Sequence, residues 1–204
     1  MEIYIVRHGE TLWNRDKRLQ GSTDIELSDY GRELAVKTGE ALMDTKIDRI
    51  YSSPLKRAYE TADLIRNGRD IDIVTDNRIQ ELNFGSFEGQ NMTKLIADDN
   101  LAFKYFFKQP HLYKPADNGE TLEHLVERAG SFMQDVIEPL ADSCERVMIV
   151  AHGALNKAIM TYIKKHSLEH FWSGGLQQNC NVMIVDYTDG KYNIIDETRL
   201  FYEV

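Results

Sequence analysis

Two short apolar segments run into the same dipeptide. Ile3-Tyr4-Ile5-Val6 leads to Arg7-His8-Gly9, and Val147-Met148-Ile149-Val150-Ala151 leads to His152-Gly153. A second arginine, Arg57, follows Ser52-Ser53-Pro54-Leu55. Taken singly, each histidine reads as a satisfied polar residue at a core edge and each arginine as a surface charge. Brought together, they are two guanidinium forks that stay charged, beside imidazoles able to act as nucleophile, acid or base. Such a cluster attracts an anion and repels a divalent cation. The ligand set that His8, Glu10 and His152 make on paper is therefore disfavoured, and no HExxH or Asp-rich loop is present. The expectation is a site that needs no metal and no other cofactor.

The chain as a whole has the opposite sign. Of 204 residues, 24 are Lys or Arg and 33 are Asp or Glu, a formal charge of −9. That balance argues against nucleic acid or an anionic membrane as partner, so an anionic substrate must be held by a local cluster. Hydrophobic residues at 42% and charged residues at 28% exclude a disordered chain. The longest apolar runs are about five residues, where a membrane-spanning helix needs about twenty. Glu2, Arg7, His8 and Glu10 interrupt any apolar secretory core, and Cys144 and Cys180 read as reduced thiols, so the expected location is cytoplasmic. With no linker-like stretch, residues 1–204 read as one domain.

The elements that must position the basic residues follow from periodicity. Residues 1–6 and 147–151 read as buried strands, 47–51 and 71–75 as further strands, and the two strand-end histidines as loop residues. Ser28 reads as the N-cap of a helix whose stripe is Tyr30, Leu34, Ala35, Thr38, Ala41 and Leu42. Ser52-Ser53-Pro54 reads as an N-cap and first-position proline opening a helix to about Ile65, with Arg57 in its first turn or so. Residues 78–89 read as a functional loop. A clean stripe from Leu122 to Ile137 predicts a helix from Glu120 to about Leu140. Another helix follows His152, and Val182 to Tyr187 with Lys191 to Asp196 read as a hairpin around Thr188-Asp189-Gly190. Strands alternating with helices argue an α/β fold, a three-layer α/β/α sandwich whose mostly parallel sheet has an antiparallel edge.

Arg7-His8-Gly9-Glu10-Thr11 with Trp13-Asn14 resembles the signature of the histidine phosphatase superfamily, the phosphoglycerate mutase-like proteins. The resemblance continues through Gln20-Gly21 with Asp24, Leu27 and Gly31; Ser52-Ser53-Pro54-Leu55 with Arg57-Ala58 and Thr61-Ala62; Glu81 with Gly85 and Glu88-Gly89; and Val150-Ala151-His152-Gly153. It is weakest over about 90–118, expected to be a variable, substrate-facing segment. It implies a phosphohistidine mechanism with His8 as nucleophile, its other ring nitrogen protonated. Arg7 and Arg57 would grip the non-bridging oxygens, a cationic His152 would complete the cage, and Asn14 with the Gly153 N–H would add donors. Gln20 and Gly21 belong to the same substrate-binding set. Glu81 matches the acid/base position, since an alkoxide leaves phosphate poorly unless protonated, and a bound phosphate beside a carboxyl favours the protonated form. Glu88 is its rival, and Glu10 reads as structural.

Within that superfamily, mutases return the phosphoryl group to a bound intermediate and phosphatases give it to water. Here Met92 stands where the mutases' lysine would fall, Phe84 stands where they have tyrosine, and no Arg-Arg pair occurs. The resemblance thus implies hydrolysis of small phosphorylated molecules, ahead of a cofactor-dependent phosphoglycerate mutase. A non-catalytic phospho-ligand-binding module is disfavoured because binding alone needs neither His8 nor Glu81. Phe103, Tyr105, Phe106, Phe107 and Tyr113 either form an apolar wall over the pocket or pack on the core or on a homodimer partner. Arg15, Lys17 and Arg18, set against Asp16, read as a loop that guides anions inward, or as a solvated turn. Asn156-Lys157 departs from the family's apolar-Arg pair, which touches contacts behind the cage.

Overall fold

The structure, a computed structural model, describes residues 1–203. Its strands and α-helices follow in the order β1 (Glu2–Arg7), α1 (Leu12–Arg15), α2 (Asp29–Ala41), β2 (Arg49–Ser52), α3 (Lys56–Arg66), β3 (Ile73–Thr75), α4 (Met92–Ala97), α5 (Leu122–Phe132), β4 (Arg146–Ala151), α6 (Gly153–Lys164), β5 (Val182–Thr188) and β6 (Lys191–Arg199). One sheet takes the order β3-β2-β4-β1-β5-β6. The pairs β3-β2, β2-β4 and β4-β1 are parallel, and β1-β5 and β5-β6 are antiparallel. The hairpin turn uses Asp189 and Gly190, both at positive φ (52° and 71°), as a tight two-residue connection requires.

Alternate side chains of the central strands feed two separate cores. Ile3, Ile5, Val147 and Ile149 pack with Leu125, Ala129 and Phe132 of α5 and Leu155 and Ala158 of α6. Tyr4, Val6, Met148 and Val150 pack with Leu34 and Ala35 of α2 and Ala58, Ala62 and Ile65 of α3. The sheet is thus covered on both faces, and its strands read as continuous apolar runs for that reason. No helix among the described residues is long and apolar enough to cross a membrane.

Three local expectations are corrected. The third helix opens at Lys56, not at Pro54: Ser53 Oγ accepts from the Leu55 N–H at 3.3 Å, but Leu55 is the N-cap without a side-chain bond of its own, and Asp24 from a distant loop accepts from the Lys56 N–H at 2.8 Å. The helix predicted over 120–140 is α-helical only to Phe132, then passes through a π-turn (Met133–Ile137) and a 3-10 turn (Glu138–Leu140). Pro139 explains this, since it offers no N–H to the turn before it and crowds the carbonyl there. Tyr30, counted in the apolar stripe of α2, is 50% exposed.

The N-terminus of α2 sits directly on the loop leaving β1. Ser28 Oγ accepts from Gly31 N–H at 3.0 Å and donates to Glu10 Oε1 at 2.9 Å, which gives Glu10 the structural role its position suggests. A Cβ on Gly31 would stand 2.1 Å from Glu10 O, and one on Gly9 would stand 2.5 Å from Gly31 O. Gly31→Ala is therefore expected to destabilise the protein by about 1–3 kcal/mol, the range for overpacking. Urea unfolding checks this; an unchanged midpoint would show that the loop carrying His8 yields freely.

Candidate active site

The site lies at the carboxyl ends of adjacent parallel strands, where α/β sheets commonly bind ligands. Arg7 is paired in register with Ala151, so the next residues, His8 and His152, emerge side by side. Their ring centroids are 5.2 Å apart. Arg57 enters from the first turn of α3 and is fully buried. It donates to Gly21 O at 2.7 Å and Thr23 O at 2.8 Å, while Arg7 donates to Gln177 O. Both guanidiniums are thus oriented by carbonyl oxygens and leave a buried Nε without a protein partner. Thr61 joins the loop after β1 to α3, accepting from the Gly9 N–H at 3.0 Å and donating to Arg57 O at 2.6 Å.

Glu81 faces this cage from the 3-10 and loop segment after β3. Its carboxylate accepts from the N–H groups of Leu82 at 2.9 Å, Ala154 at 3.2 Å and Leu155 at 3.0 Å, so it seats on the N-terminus of α6. Two of that helix's first amides are spent in this way, which leaves the Gly153 N–H for a ligand. Glu88, the rival candidate, is absent from the cavity lining, and Ser22, Thr23 and the Phe84 N–H occupy its two oxygens.

A cavity of about 270 Å3 is lined by Arg7, His8, Asn14, Gln20, Gly21, Arg57, Glu81 and Gly153. These are all the site residues expected from the sequence except His152, which lies fully buried behind His8. Asn14 uses its Oδ1 on the Thr11 N–H at 3.1 Å, so its Nδ2 is the remaining donor. The rest of the lining includes Lys17, Arg18, Leu19, Phe84, Met92, Phe106, Phe107, Ala154, Trp172, Leu176 and Asn179. Both readings of the aromatic segment hold in part. Phe103, Phe106 and Tyr113 are core residues, yet Phe106 and Phe107 also reach the cavity beside Trp172, whose Nε1 donates to Phe106 O at 2.6 Å.

The segment 172–179 was missed by sequence reasoning. Asn179 donates to His8 O at 2.9 Å, and Gln177 joins Arg7 to Asn156, whose Nδ2 donates to Gln177 Oε1 at 2.7 Å. The signal was present as the amide-rich run Gln177-Gln178-Asn179-Cys180-Asn181 immediately before a buried strand.

A family model of the histidine phosphatase superfamily (branch 1) matches residues 3–197. The chain belongs to that superfamily. It is 36% identical over 197 residues to the uncharacterized phosphatase PhoE of Bacillus subtilis, covering 95% of this chain and 92% of that protein. Phosphoserine phosphatase 1 of Hydrogenobacter thermophilus is 29% identical over 195 residues, covering 96% and 90%. Among solved structures, Bacillus stearothermophilus YhfR superposes with a TM-score of 0.87 at 34% identity, covering 96% of each chain.

In this histidine phosphatase the cage controls protonation. His8 Nδ1 lies 2.7 Å from Gly9 O; a carbonyl only accepts, so Nδ1 carries the proton and Nε2 keeps its lone pair. Burial, then the charges of Arg57 and Arg7, hold the ring well below the ordinary value of 6.5. His152 is likewise held well below 6.5 by burial, then by Arg57 and His8. With only the protein's own charges around it the His152 ring is held neutral, and neither nitrogen has a partner among the described residues; the expected cation belongs to the complex with a phosphate dianion. Burial lowers Arg57 to about 10, which leaves it charged at neutral pH.

The sign of the pH dependence follows. Below 6.5 both histidines take up protons in the unfolded chain but not in the folded one, so stability falls as the pH drops. Each ring contributes a slope of about 1.4 kcal/mol per pH unit until its folded value is reached. Urea midpoints between pH 7 and pH 5 are expected to show this loss, with a shallower slope in His152→Asn. A slope identical in the variant would mean that His152 is already protonated in the folded protein.

Proposed function

We propose that the protein hydrolyses small phosphate monoesters through a phosphohistidine formed on His8. The observation that supports this most directly is the His8 ring itself: neutral, with Nδ1–H committed to Gly9 O and Nε2 free, beside two guanidiniums that no carboxylate pairs. The Nε2 lone pair attacks phosphorus as the ester P–O bond breaks. Arg7, Arg57 and the Gly153 N–H take the charge on the non-bridging oxygens, which grows toward the transition state. His152 acquires its proton when the dianion arrives, because a neighbouring negative charge favours the imidazolium. Glu81 gives a proton to the departing alkoxide. Its carboxylate then accepts one from the water that attacks phosphorus, the P–N bond breaks, and inorganic phosphate leaves.

Hydrolysis is favoured over transfer because Met92 and Phe84 bring no charge to the cavity where mutases carry lysine and tyrosine, and the further cations on its lining, Lys17 and Arg18, are exposed side chains, whereas a mutase must grip both ends of a bisphosphate. The leaving alcohol lies along Met92, Phe106, Phe107, Trp172 and Leu176, which suits an ester with an apolar body. Charge neutralisation by Arg7, Arg57 and His152 makes a divalent ion unnecessary, so EDTA is expected to leave the rate unchanged.

His8→Ala is expected to abolish turnover and the acid-labile, base-stable phosphoenzyme seen by rapid quench with labelled substrate, while the unfolding midpoint persists. Label retained on another residue would overturn the assignment. Glu81→Gln separates leaving groups: an aryl phosphate expels a stable phenolate and needs little protonation, whereas an alkyl phosphate needs the acid. The variant should lose at least ten times more rate on the alkyl ester, on the order of the 10²–10⁴-fold that acid catalysis contributes. Equal losses on the two esters would exclude Glu81 as the acid.

A further inference from the structure

The backbone that carries Glu81 has little local reason to take its shape. After the 3-10 turn Asn77–Ile79 it runs without helix or strand to Phe84. It is fastened from outside, by one side chain of α5. Arg128 donates every N–H of its guanidinium: to Arg78 O at 2.6 Å and Gln80 O at 2.7 Å from one terminal nitrogen, to Glu81 O at 3.0 Å and Glu120 Oε2 at 2.9 Å from the other, and to Glu120 Oε1 at 2.7 Å from Nε. Glu120 completes the clamp, accepting from the Asn83 N–H at 3.2 Å while its own N–H donates to Asn83 O at 2.8 Å. The Glu81 main chain is thus gripped on both sides, and its carboxylate is left to reach the amides of Ala154 and Leu155.

We propose that Arg128, held by Glu120, is a positioning residue for Glu81. It touches no reacting atom; it fixes where the carboxyl stands relative to the leaving oxygen. This rests on the reading of Glu81 as the acid. Three carbonyls at different angles need a planar fork with five donors, which lysine cannot imitate. A catalytic group displaced by about 1 Å costs on the order of 100-fold in rate, and the loss should fall on the step that uses the group.

The test measures Arg128→Met, Arg128→Lys and Glu120→Gln on one alkyl and one aryl phosphate, with vanadate inhibition and unfolding midpoints alongside. Arg128→Met is expected to lose about 100-fold in kcat on the alkyl ester and far less on the aryl ester, with the vanadate constant unchanged. Arg128→Lys and Glu120→Gln should show the same split at smaller size, and Arg128→Met should cost little more once Glu81→Gln is present, since the two act as a unit. Equal losses on both esters with weakened vanadate binding would overturn the proposal, as would an undiminished alkyl rate. Should Arg128→Met fail to fold, Glu120→Gln, which keeps the side chain's size, separates the same two outcomes. Glu81→Gln serves as the reference: a split there without one in the Arg128 and Glu120 variants sinks the positioning role alone, whereas no split there sinks the acid assignment and the positioning role with it.

Discussion

Two guanidiniums, Arg57 fully buried and Arg7 half-buried, have no carboxylate partner among the described residues, and they set the terms for everything around them. Arg57 is fully buried, and its fixed contacts are carbonyl oxygens of Gly21 and Thr23; Arg7 is held by the carbonyl of Gln177. An uncompensated charge in such a place costs several kcal/mol of desolvation. A carboxylate in contact would remove that cost and, with it, the attraction for an anion. Carbonyl dipoles are the compromise, because they orient the forks while leaving the full positive charge for a ligand. The nearest acid, Glu81, is diverted onto the helix N-terminus of α6 instead of pairing with either arginine.

This demand explains the placement of the cage in the fold. Rigid elements must deliver four basic groups to one point against their mutual repulsion, and the parallel register of β1 with β4 does so for Arg7, His8 and His152 without any loop having to choose a shape. The third contribution comes across the sheet from α3, locked to the first by Thr61 between Gly9 and Arg57. Burial, and after it the same positive field, keeps both imidazoles neutral, which is the state the proposed nucleophile His8 needs. On the proposed mechanism, one arrangement of burial and charge therefore both recruits the ligand and prepares the attacking nitrogen.

The strands, the sheet's mixed sense and most of the cage were readable from the chain because they rest on short-range signals: apolar runs ending in His-Gly, Ser28 before the α2 stripe, Asp189-Gly190 between two alternating segments. What escaped depends on contacts between segments distant in sequence. The first N–H of α3, that of Lys56, is held by Asp24, while Ser53 reaches only the Leu55 N–H before it. Gln177 and Asn179 act on Arg7 and His8 from a stretch whose only mark was a run of amides. Glu81 and Glu88 share one loop and one residue type, and only the partners of Glu88 separate them.

The cavity also divides by origin. Its phosphate cage, Arg7, His8, Arg57 and the Gly153 N–H, is built from strand ends and helix starts, where displacement is resisted by the packed core on both faces of the sheet. Its apolar half comes from Met92, Phe106, Phe107, Trp172 and Leu176, on segments outside the sheet that are joined to one another by the Trp172 to Phe106 hydrogen bond and by ring contacts such as Phe107 with Trp172 at 4.9 Å. On the proposed reading, repacking at Met92, Phe106, Phe107 or Trp172 changes which alcohol fits while leaving the phosphate cage in place. The two halves are linked through Glu81, whose backbone is governed by α5 and whose carboxylate is governed by α6. Those two helices pack side by side on the same face of the sheet. Their packing therefore sets the distance between the proposed acid and the cage, a dimension of the site that no residue in the cavity controls alone.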